Sequence, residues 1–378
     1  MRVWVVGRGI PSKKNGMLGS FEFEQAKILA KKGVEVVYFG ISVRSAHNLA
    51  NQGFSHMKLE GIAVESFNFP LGRLLSSEKT DAVFSYAFRK LAGNAIKKFG
   101  FPDIVHVHYP AQRPYTVLRE LQESGAKVVA TEHWTAVQER RLKGNCLQNL
   151  KDFCENCDAF ICVGSVLRNS VLALTGTART ISVIPNVVDD HFSILPSEGK
   201  GVRFLASGRL VRHKQFDKVV QAFIETFHDV QDAFLTVAGG GDEFSHIQKL
   251  VASSGMENRI MLTGTVARSE MAKLMAESSI LVSYSRLETF CVPVIEAWMC
   301  GKPTIVSSVT PVVIDHPDER LGLLTDCNDL GSLKRAMLYM YHHCAEYDAA
   351  WISRYAKEHF GEEAIAGNLL KTYESIIG

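Results

Sequence analysis

Short apolar runs alternate with helical segments along this chain, and that order constrains its fold more than any other feature. In the first half, Arg2–Val6 is a predicted buried strand, Ser20–Lys32 has apolar residues at helical spacing, and Val34–Phe39 is a predicted second strand. A strand, a helix and a further strand in this order predict an open parallel sheet of the doubly wound type. The residues therefore predict an α/β fold.

The same order begins again after a connector. Residues Val187–Gly201 contain a proline and two glycines, which favour an irregular segment. Beyond it, Arg203–Ser207 is a predicted strand and Phe216–Phe227 a predicted amphipathic helix. We therefore expect two Rossmann-like domains, residues 1–190 and 201–361, that face each other across a cleft.

Length and composition agree with a two-domain globular protein. The 378 residues suit about two domains of ~100–200 residues. The apolar opening Met1–Gly7 is too short for a signal peptide, and no other run approaches ~18 apolar residues, so we expect a cytoplasmic protein. Of the eight cysteines, the close pair Cys154 and Cys157 has no second pair at zinc spacing, which favours reduced structural thiols over a metal site.

Charge is distributed unevenly between the two halves. Residues 1–190 contain 24 Lys and Arg against 17 Asp and Glu, whereas residues 191–378 contain 18 against 23. A basic half could contact the anionic inner face of a membrane or a phosphorylated acceptor. Solvated helix faces also explain its basic pairs. The basic residues lack aromatic interleaving, so nucleic-acid binding is not predicted.

The stretch from Ser283 to Pro303 carries the strongest chemical signal. Pro293 suits the first turn of a helix, so Thr289–Val292 forms the turn into a helix N-terminus, where free backbone amides can bind a diphosphate. Glu288 and Glu296 lie on either side of this turn, and carboxylates can accept the hydroxyl pairs of a ribose or a sugar. A plain strand, turn and amphipathic helix with solvated glutamates is the alternative interpretation.

Other polar residues follow predicted strands. Arg209 and Lys214 come after the first strand of the second half, and His133 ends a strand in the first half. Ligands of open parallel sheets bind beyond the carboxyl ends of the strands, so these side chains are candidate contacts. Gly16 and Gly19 precede the first helix and allow close approach of a ligand. Surface salt bridges, a core histidine and a flexible turn remain the alternatives.

In their order along nearly the whole chain, these residues resemble the retaining nucleotide-sugar glycosyltransferases of family four, which have the GT-B fold. The matching segments are the glycine loop ending at Gly19, Thr131-Glu132-His133, Val183–Asn186 with Asp189 and Phe192, Gly208–Leu210 with Lys214, and Glu288 to Glu296. Family members often have glycines where this chain has Val187, Thr289 and Cys291, and a double glycine where it has Gly16-Met-Leu-Gly19. These departures affect the expected sugar rather than the class.

The resemblance implies a role for each residue. Arg209 and Lys214 would bind the donor diphosphate, Glu296 the ribose, and Glu288 the donor sugar, while the last helix, 362–378, would return to the first domain. The implied donor-binding residues are Gly19, Arg209, Lys214, Glu288, Thr289, Phe290, Cys291, Val292 and Glu296. The implied catalytic residues are His133, Arg209, Lys214 and Glu288.

The expected reaction is transfer of a hexose-type sugar from a nucleotide diphosphate to a hydroxyl of a glycan or lipid-linked acceptor, in surface polysaccharide or glycolipid assembly. The nucleotide sugar is a substrate, so no cofactor is predicted, and the absence of a D-x-D sequence predicts no essential metal. A nucleotide-sugar epimerase and a non-catalytic nucleotide-sugar binding protein are the alternatives. Acceptor choice is expected to lie in the segments 41–58 and 134–145, where no motif identifies the acceptor.

Overall fold

The computed structural model describes residues 1–11, 18–43, 52–70, 74–196 and 201–378. Contacts within the chain divide it into one unit of Met1–Val187 with Ile365–Gly378 and a second of Val188–Ala364. The boundary expected at residue 190 thus lies three residues beyond the end of the first segment, and the described part of the connector after Val187 belongs to the second unit.

The first unit is built on a sheet of eight strands among the described residues, in the order β3-β4-β2-β1-β5-β6-β7-β8. Its strands are β1 (Arg2–Gly7), β2 (Glu35–Ser42), β3 (Gly53–Leu59), β4 (Ile62–Asn68), β5 (Ile104–His108), β6 (Lys127–Glu132), β7 (Ala159–Cys162) and β8 (Ser182–Val183). β1 is central and pairs in parallel with β2 and β5. All of its side chains from Val3 to Val6 are buried, as expected for a strand covered on both faces.

One strand of this sheet departs from the prediction. β3 pairs antiparallel with β4 along its full length, so the sheet is not purely parallel. It also occupies residues that were expected to form an acceptor loop between 41 and 58; residues 44–51 of that segment lie outside the described chain. The exposed side chains of β3 suit an edge strand, which needs only one partner.

Helices cover the faces of this sheet. They are α1 (Ser20–Lys31), α2 (Ser77–Phe99), α3 (Thr116–Glu123), α4 (Thr135–Gln138), α5 (Gly144–Asn156) and α6 (Ser165–Thr175). α1 shows the pattern behind its prediction, since Phe23, Ala26 and Leu29 recur at helical spacing and are buried in the core.

The second unit is a six-stranded sheet in the order β11-β10-β9-β12-β13-β14, and all its pairings are parallel. Its strands are β9 (Val202–Ser207), β10 (Ala233–Ala238), β11 (Ile260–Gly264), β12 (Ile280–Ser283), β13 (Thr304–Ser307) and β14 (Gly322–Thr325). Its helices are α7 (Phe216–Phe227), α8 (Phe244–Ser254), α9 (Arg268–Glu277), α10 (Val292–Met299), α11 (Pro311–Asp315), α12 (Leu330–His343) and α13 (Ala349–Phe360).

The final helix, α14 (Glu362–Ile377), belongs to the core of the first unit. Ile365 and Leu369 are fully buried there, and the Tyr373 hydroxyl lies 2.6 Å from Nδ1 of His106 on β5. Across the described parts of the chain, no helix has both the length and the apolar character needed to cross a bilayer.

Strand order identifies one switch point in each unit. In the first unit the chain proceeds from β1 to β2 on one side and later to β5 on the other side, so the switch point lies between β1 and β5. In the second unit it lies between β9 and β12. Neighbouring connections leave in opposite directions at such a point, which opens a crevice beyond the carboxyl ends of the two strands. These two edges are therefore the places to look for sites.

Candidate functional site

The loop after β9 is held in place by a glycine triplet. A Cβ added to Gly239 would lie 1.8 Å from the carbonyl oxygen of Gly208, and one added to Gly241 would lie 2.4 Å from that of Leu210. The Leu210 amide donates to the Gly240 carbonyl at 2.9 Å. Only glycine permits this approach, so the triplet fixes the backbone that carries the exposed Arg209 side chain.

Lys214 and Glu288 form an ion pair at this edge. Lys214 Nζ lies 2.7 Å from Glu288 Oε1, which also accepts from the Ser285 hydroxyl at 2.8 Å. The two charged side chains are only 18% and 9% exposed. Arg209 is close enough for its positive charge to act on the pKa of Lys214. The structure thus brings Glu288 to the segment of Arg209 and Lys214, which lies more than 70 residues earlier in the sequence.

Gln215 holds the Lys214 loop against the sheet and was missed by the sequence analysis. Its backbone is left-handed, with φ of 54°, and it directly precedes α7. Its buried side-chain amide donates to the carbonyls of Tyr284, at 3.0 Å, and Cys327, at 2.9 Å. These bonds tie the loop after β9 to the ends of β12 and β14. Nothing in the sequence distinguished this glutamine from a solvated one.

The turn into α10 has an unusual residue at its cap. Cys291 is buried and left-handed, with φ of 80°, and its sulfur lies 3.3 Å from the Ser283 hydroxyl. Burial raises the pKa of Cys291 to about 12, so the thiol stays protonated. Phe290 packs near Phe360, Thr289 is half-buried, and Val292 is the first helical residue. The predicted turn into a helix is therefore present, but its last predicted residue, Val292, already belongs to the helix.

Glu296 belongs to a second cluster of charge. It is 6% exposed and lies on α10, where its Oε1 accepts from Arg268 Nη1 at 3.2 Å. Arg268 Nε donates to Asp189 Oδ2 at 2.6 Å, and the guanidinium lies 5.0 Å from the Phe192 ring centre. Burial raises the pKa of Glu296 to about 7, although the charge of Arg268 works in the opposite direction.

Arg268 was not predicted, because it begins α9 and lies far in sequence from both carboxylates. A partial signal existed: Asp189 and Phe192 belonged to a recognised segment, and a buried aspartate needs a partner. The arginine that supplies this partner was not recognisable from the sequence alone.

In the first unit, Gly19 caps α1 with a left-handed backbone of φ 78°. A Cβ at this position would lie 2.4 Å from the Gly9 carbonyl, which also accepts from the Tyr38 hydroxyl at 2.8 Å. Both conformation and space therefore require glycine. Gly16, the other glycine of the predicted loop, lies outside the described residues.

His133 follows β6 and lies in a stack of planar side chains. It is 5% exposed, its ring centre is 4.8 Å from that of Tyr109, and its Nε2 lies 2.9 Å from Nδ1 of His108. Burial and the nearby charge of Arg8 hold the pKa of His133 well below its usual range. The imidazole is therefore neutral, and its environment suits hydrogen bonding rather than charge stabilisation.

A buried carboxyl shapes the turn that carries His133. Glu132 Oε1 accepts from the backbone amides of His133 and Trp134, both at 2.8 Å. Burial raises the pKa of Glu132 to about 7 despite these bonds. Over the ranges that the structure describes, no group of three His, Cys, Asp or Glu side chains is placed to bind a metal.

Two family models match the chain, one for each unit. The model for Glycosyltransferase Family 4 matches residues 23–192, and the model for Glycosyl transferases group 1 matches residues 187–358.

Curated relatives match over part of their length. N-acetyl-alpha-D-glucosaminyl L-malate synthase of Bacillus anthracis is 30% identical over 60% of this chain and 62% of its own. A phosphatidylinositol N-acetylglucosaminyltransferase subunit of Arabidopsis thaliana is 24% identical over 58% of this chain and 50% of its own. The matched stretches thus span about half to three-fifths of these relatives.

Solved structures match almost end to end. Sucrose-phosphate synthase of Thermosynechococcus elongatus has a TM-score of 0.77 at 19% identity, covering 99% of this chain and 98% of that one. HepE of Anabaena, in complex with UDP, has a TM-score of 0.75 at 16% identity and covers 99% of both chains. At such identities the likeness establishes the fold. The chain has the GT-B fold, and each of its two units matches a glycosyltransferase family model.

Proposed function

We propose that this protein transfers a hexose-type sugar from a nucleotide diphosphate to an acceptor hydroxyl, with retention of the anomeric configuration, in glycan or glycolipid assembly. The observation that carries the proposal is the Lys214–Glu288 ion pair with Arg209 beside it, at the β9–β12 switch point and next to the N-terminus of α10. Two cations and a helix N-terminus suit a group that gains negative charge as it leaves.

Each residue has a proposed role in that reaction. Arg209 and Lys214 bind the diphosphate and stabilise its charge when the bond to the sugar breaks. Glu288, fixed by Lys214 and Ser285, accepts hydroxyl groups of the donor sugar. Glu296 accepts the ribose hydroxyls in its ionised form. Positioning and electrostatics supply the rate, since the chemistry needs no covalent step by the protein.

Further proposed contacts lie around these residues. The backbone amides of Phe290, Cys291 and Val292, with Thr289 before them, lie at the start of α10, where phosphate oxygens can accept hydrogen bonds. In the first unit we propose that His133 contacts the donor sugar through a neutral imidazole. We propose likewise that the backbone of Gly19, at the start of α1, approaches a phosphate of the donor.

The test is turnover of nucleotide sugars by the purified protein. Candidate UDP, GDP, ADP and CDP sugars are first ranked by the thermal stabilisation that they give, since a bound ligand raises the melting temperature. The best donor is then incubated with an acceptor pool, with and without EDTA, and the product is examined by NMR. We expect glycosylated product with a retained anomer and no loss of rate in EDTA.

Two other outcomes would contradict the proposal. A new nucleotide sugar formed without any acceptor would identify an epimerase. Tight donor binding with no turnover against any acceptor would identify a binding protein. An inverted anomer would overturn only the stereochemical part, and a loss of rate in EDTA only the metal independence.

A lipid-linked acceptor would bring this protein to the inner, anionic surface of a membrane. Helix α2 has basic and aromatic side chains that suit that contact. Tyr86 on this helix is 59% exposed, Lys90 lies 4.4 Å from the Phe54 ring centre, and Lys97 and Lys98 occupy its last turn. Basic side chains next to an aromatic ring suit anionic headgroups. Sedimentation with vesicles of phosphatidylglycerol, but not phosphatidylcholine, tests this. Equal sedimentation of wild type and a Tyr86→Ala/Lys90→Gln variant would contradict it.

A further inference from the structure

Arg8 lies at the switch point of the first unit, directly after β1 and beside the residue that follows the neighbouring strand β5. Its guanidinium carbon is 3.5 Å from the ring centre of Tyr109, which follows β5. A crevice at the carboxyl ends of these two strands is where open α/β sheets bind ligands. None of the motif residues described above accounts for a cation at this position.

Arg8 is held firmly but only on part of its surface. Its Nε donates to Glu22 Oε1 at 3.1 Å, and its backbone amide points to the same oxygen at 3.3 Å. Glu22 is completely buried on α1, so the anchor cannot move away into solvent. One face of the guanidinium lies on the Tyr109 ring, and the side chain remains 26% exposed.

The remaining donors of Arg8 are unused. Among the residues that the structure describes, neither terminal nitrogen of its guanidinium has a side-chain or carbonyl partner. An arginine has five N–H groups, and the terminal ones form the fork that binds a carboxylate or phosphate through two bonds. Anchoring Nε and stacking one face fix the fork before any ligand arrives, which lowers the entropy lost on binding.

A second buried group at this place also lacks a partner. The other carboxylate oxygen of Glu22, Oε2, is enclosed and has no hydrogen-bond donor among the described residues. Enclosed carboxylate oxygens are normally satisfied, so a hydroxyl donor is expected there. A ligand with a hydroxyl donor for Glu22 Oε2 and an anionic acceptor for the terminal nitrogens of Arg8 would therefore satisfy both groups.

We propose that Arg8 binds an anionic group, a carboxylate or a phosphate monoester, of a hydroxylated acceptor. This inference rests on the proposed function, because it assigns the acceptor side of that reaction. It narrows the acceptor from any hydroxyl compound to hydroxy acids and phosphorylated polyols. His133 stacks against the same Tyr109 ring and lies within reach of the charge of Arg8, so such an acceptor would bind close to a proposed sugar contact.

Calorimetric titration of three soluble probes tests the proposal. L-malate supplies a hydroxy acid, fructose 6-phosphate a sugar phosphate, and myo-inositol 1-phosphate a lipid headgroup. Fructose and myo-inositol are the uncharged counterparts of the two phosphates. We expect at least one charged probe to bind, and Arg8→Gln to weaken it ~10- to 100-fold, the range for a charge-assisted hydrogen bond. Arg8→Lys keeps the charge next to Glu22 and should recover part of the affinity without the paired bonds.

The chain offers a matched control at the other end of β1. Arg2 is also 26% exposed and also pairs with a glutamate, Glu35, at 2.8 Å. Arg2→Gln should therefore bind every probe as the wild type does. Thermal unfolding of all variants identifies any that fail to fold. If Arg8→Gln does not fold, the probe affinities of Arg8→Lys are compared with those of the wild type instead.

Three results would overturn the proposal. One is that no charged probe binds; another is that Arg8→Gln and Arg8→Lys both bind all probes as the wild type does. The third is that both Arg8 variants weaken nucleotide binding and leave acceptor-probe binding unchanged, which would assign Arg8 to the donor. Absence of nucleotide-sugar turnover in the wild type, with anion binding retained, would instead remove the proposed function and leave the Arg8 site standing.

Discussion

The two switch points are built from different interactions. At the edge of the second unit, charged groups are already paired: Lys214 with Glu288, and Arg268 with Glu296. At the edge of the first unit, His106, His108, His133 and Tyr109 form successive ring contacts with centres 4.6 to 5.1 Å apart. Burial lowers the pKa of all three histidines, so the stack is neutral.

This difference shows two ways to preorganise polar groups. Ion pairs fix the side chains of the second unit, but a ligand must compete with the existing partner for each charge. Stacking fixes the rings of the first unit without using all their hydrogen-bonding atoms: among the described residues, Nε2 of His108 is buried without a partner. We expect the paired edge to respond strongly to loss of one charge and the stacked edge to respond more to shape.

The largest expected effect is from the ion pair. Lys214→Ala should lower kcat ~100- to 1000-fold, the loss typical of removing one group that stabilises charge in the transition state. It also leaves Glu288 buried without its cation, which should lower the free energy of unfolding. Steady-state kinetics and thermal unfolding measure the two effects.

A double variant separates these two roles of Lys214. Lys214→Ala with Glu288→Ala removes both charges, so stability should return toward wild type while activity stays low. Lys218→Ala, on α7 where the lysine donates to Gln221, is the matched lysine control and should leave both unchanged. Recovery of activity in the double variant would show that the lysine serves only the pair.

The second prediction concerns the charge of Glu296. Because its pKa is raised to about 7, the carboxyl ionises as pH rises through neutrality, and donor affinity should rise with it. Arg268 lowers this pKa, so Arg268→Gln should move the midpoint to higher pH and weaken donor binding ~10-fold at pH 7. Donor titrations between pH 5.5 and ~9 measure the midpoint.

The surface arginine Arg320, paired with Asp318, provides the control for that series. Arg320→Gln should leave the donor midpoint at its wild-type pH. If Arg268→Gln lowered the pH midpoint of donor affinity or left it unchanged, the proposed coupling of Arg268 to Glu296 would be wrong. Charge pairing would then not distinguish the second edge from the first.

The third prediction tests the stacked edge. His108 contacts His133 through Nδ1, a position that the side-chain nitrogen of asparagine can occupy and that of glutamine cannot. His108→Asn should therefore keep most of the activity, whereas His108→Gln should lose ~10-fold, the value of one hydrogen bond. If His108→Asn and His108→Gln changed kcat and KM to the same extent, the packing of this side chain rather than its hydrogen bond would determine activity.

The smallest effect is expected at the cap of α10. A left-handed backbone costs a non-glycine residue roughly 1–2 kcal/mol, so Cys291→Gly should relieve strain. Because it also removes a buried thiol with its Ser283 contact and adds entropy to the unfolded chain, the free energy of unfolding should change by less than ~1 kcal/mol in either direction. Gln215→Gly provides the contrast: it relieves a similar backbone but removes two buried hydrogen bonds, so it should destabilise. Denaturant unfolding measures both.

Sequence predicted the second edge better than the first, for a physical reason. The turn into α10 and the loop after β9 are short segments in which strand end, proline and charged residues follow one another closely, so local rules sufficed. Arg268 and Gln215 act only through contacts distant in sequence, and no local pattern marks them. Likewise, His106 is hydrogen-bonded to Tyr373, 267 residues away.

The fold of the first unit was predicted in type but not in detail. Alternating strands and helices gave the central parallel strands, because continuous apolar runs mark strands buried on both faces. The antiparallel β3 was missed, since none of its side chains is fully buried and it carries no such run. Its pairing follows from the neighbouring β4 rather than from its own residues.

The position of α14 has a consequence for how the chain matures. Tyr373, Leu369 and Ile365 are fully enclosed parts of the first unit, yet the ribosome adds them only after the whole second unit has been synthesised. The half that emerges first must therefore wait, with an apolar surface uncovered, for its closing piece. Truncation ahead of Ile365 should thus destabilise the first unit, although most of that unit lies at the opposite end of the sequence.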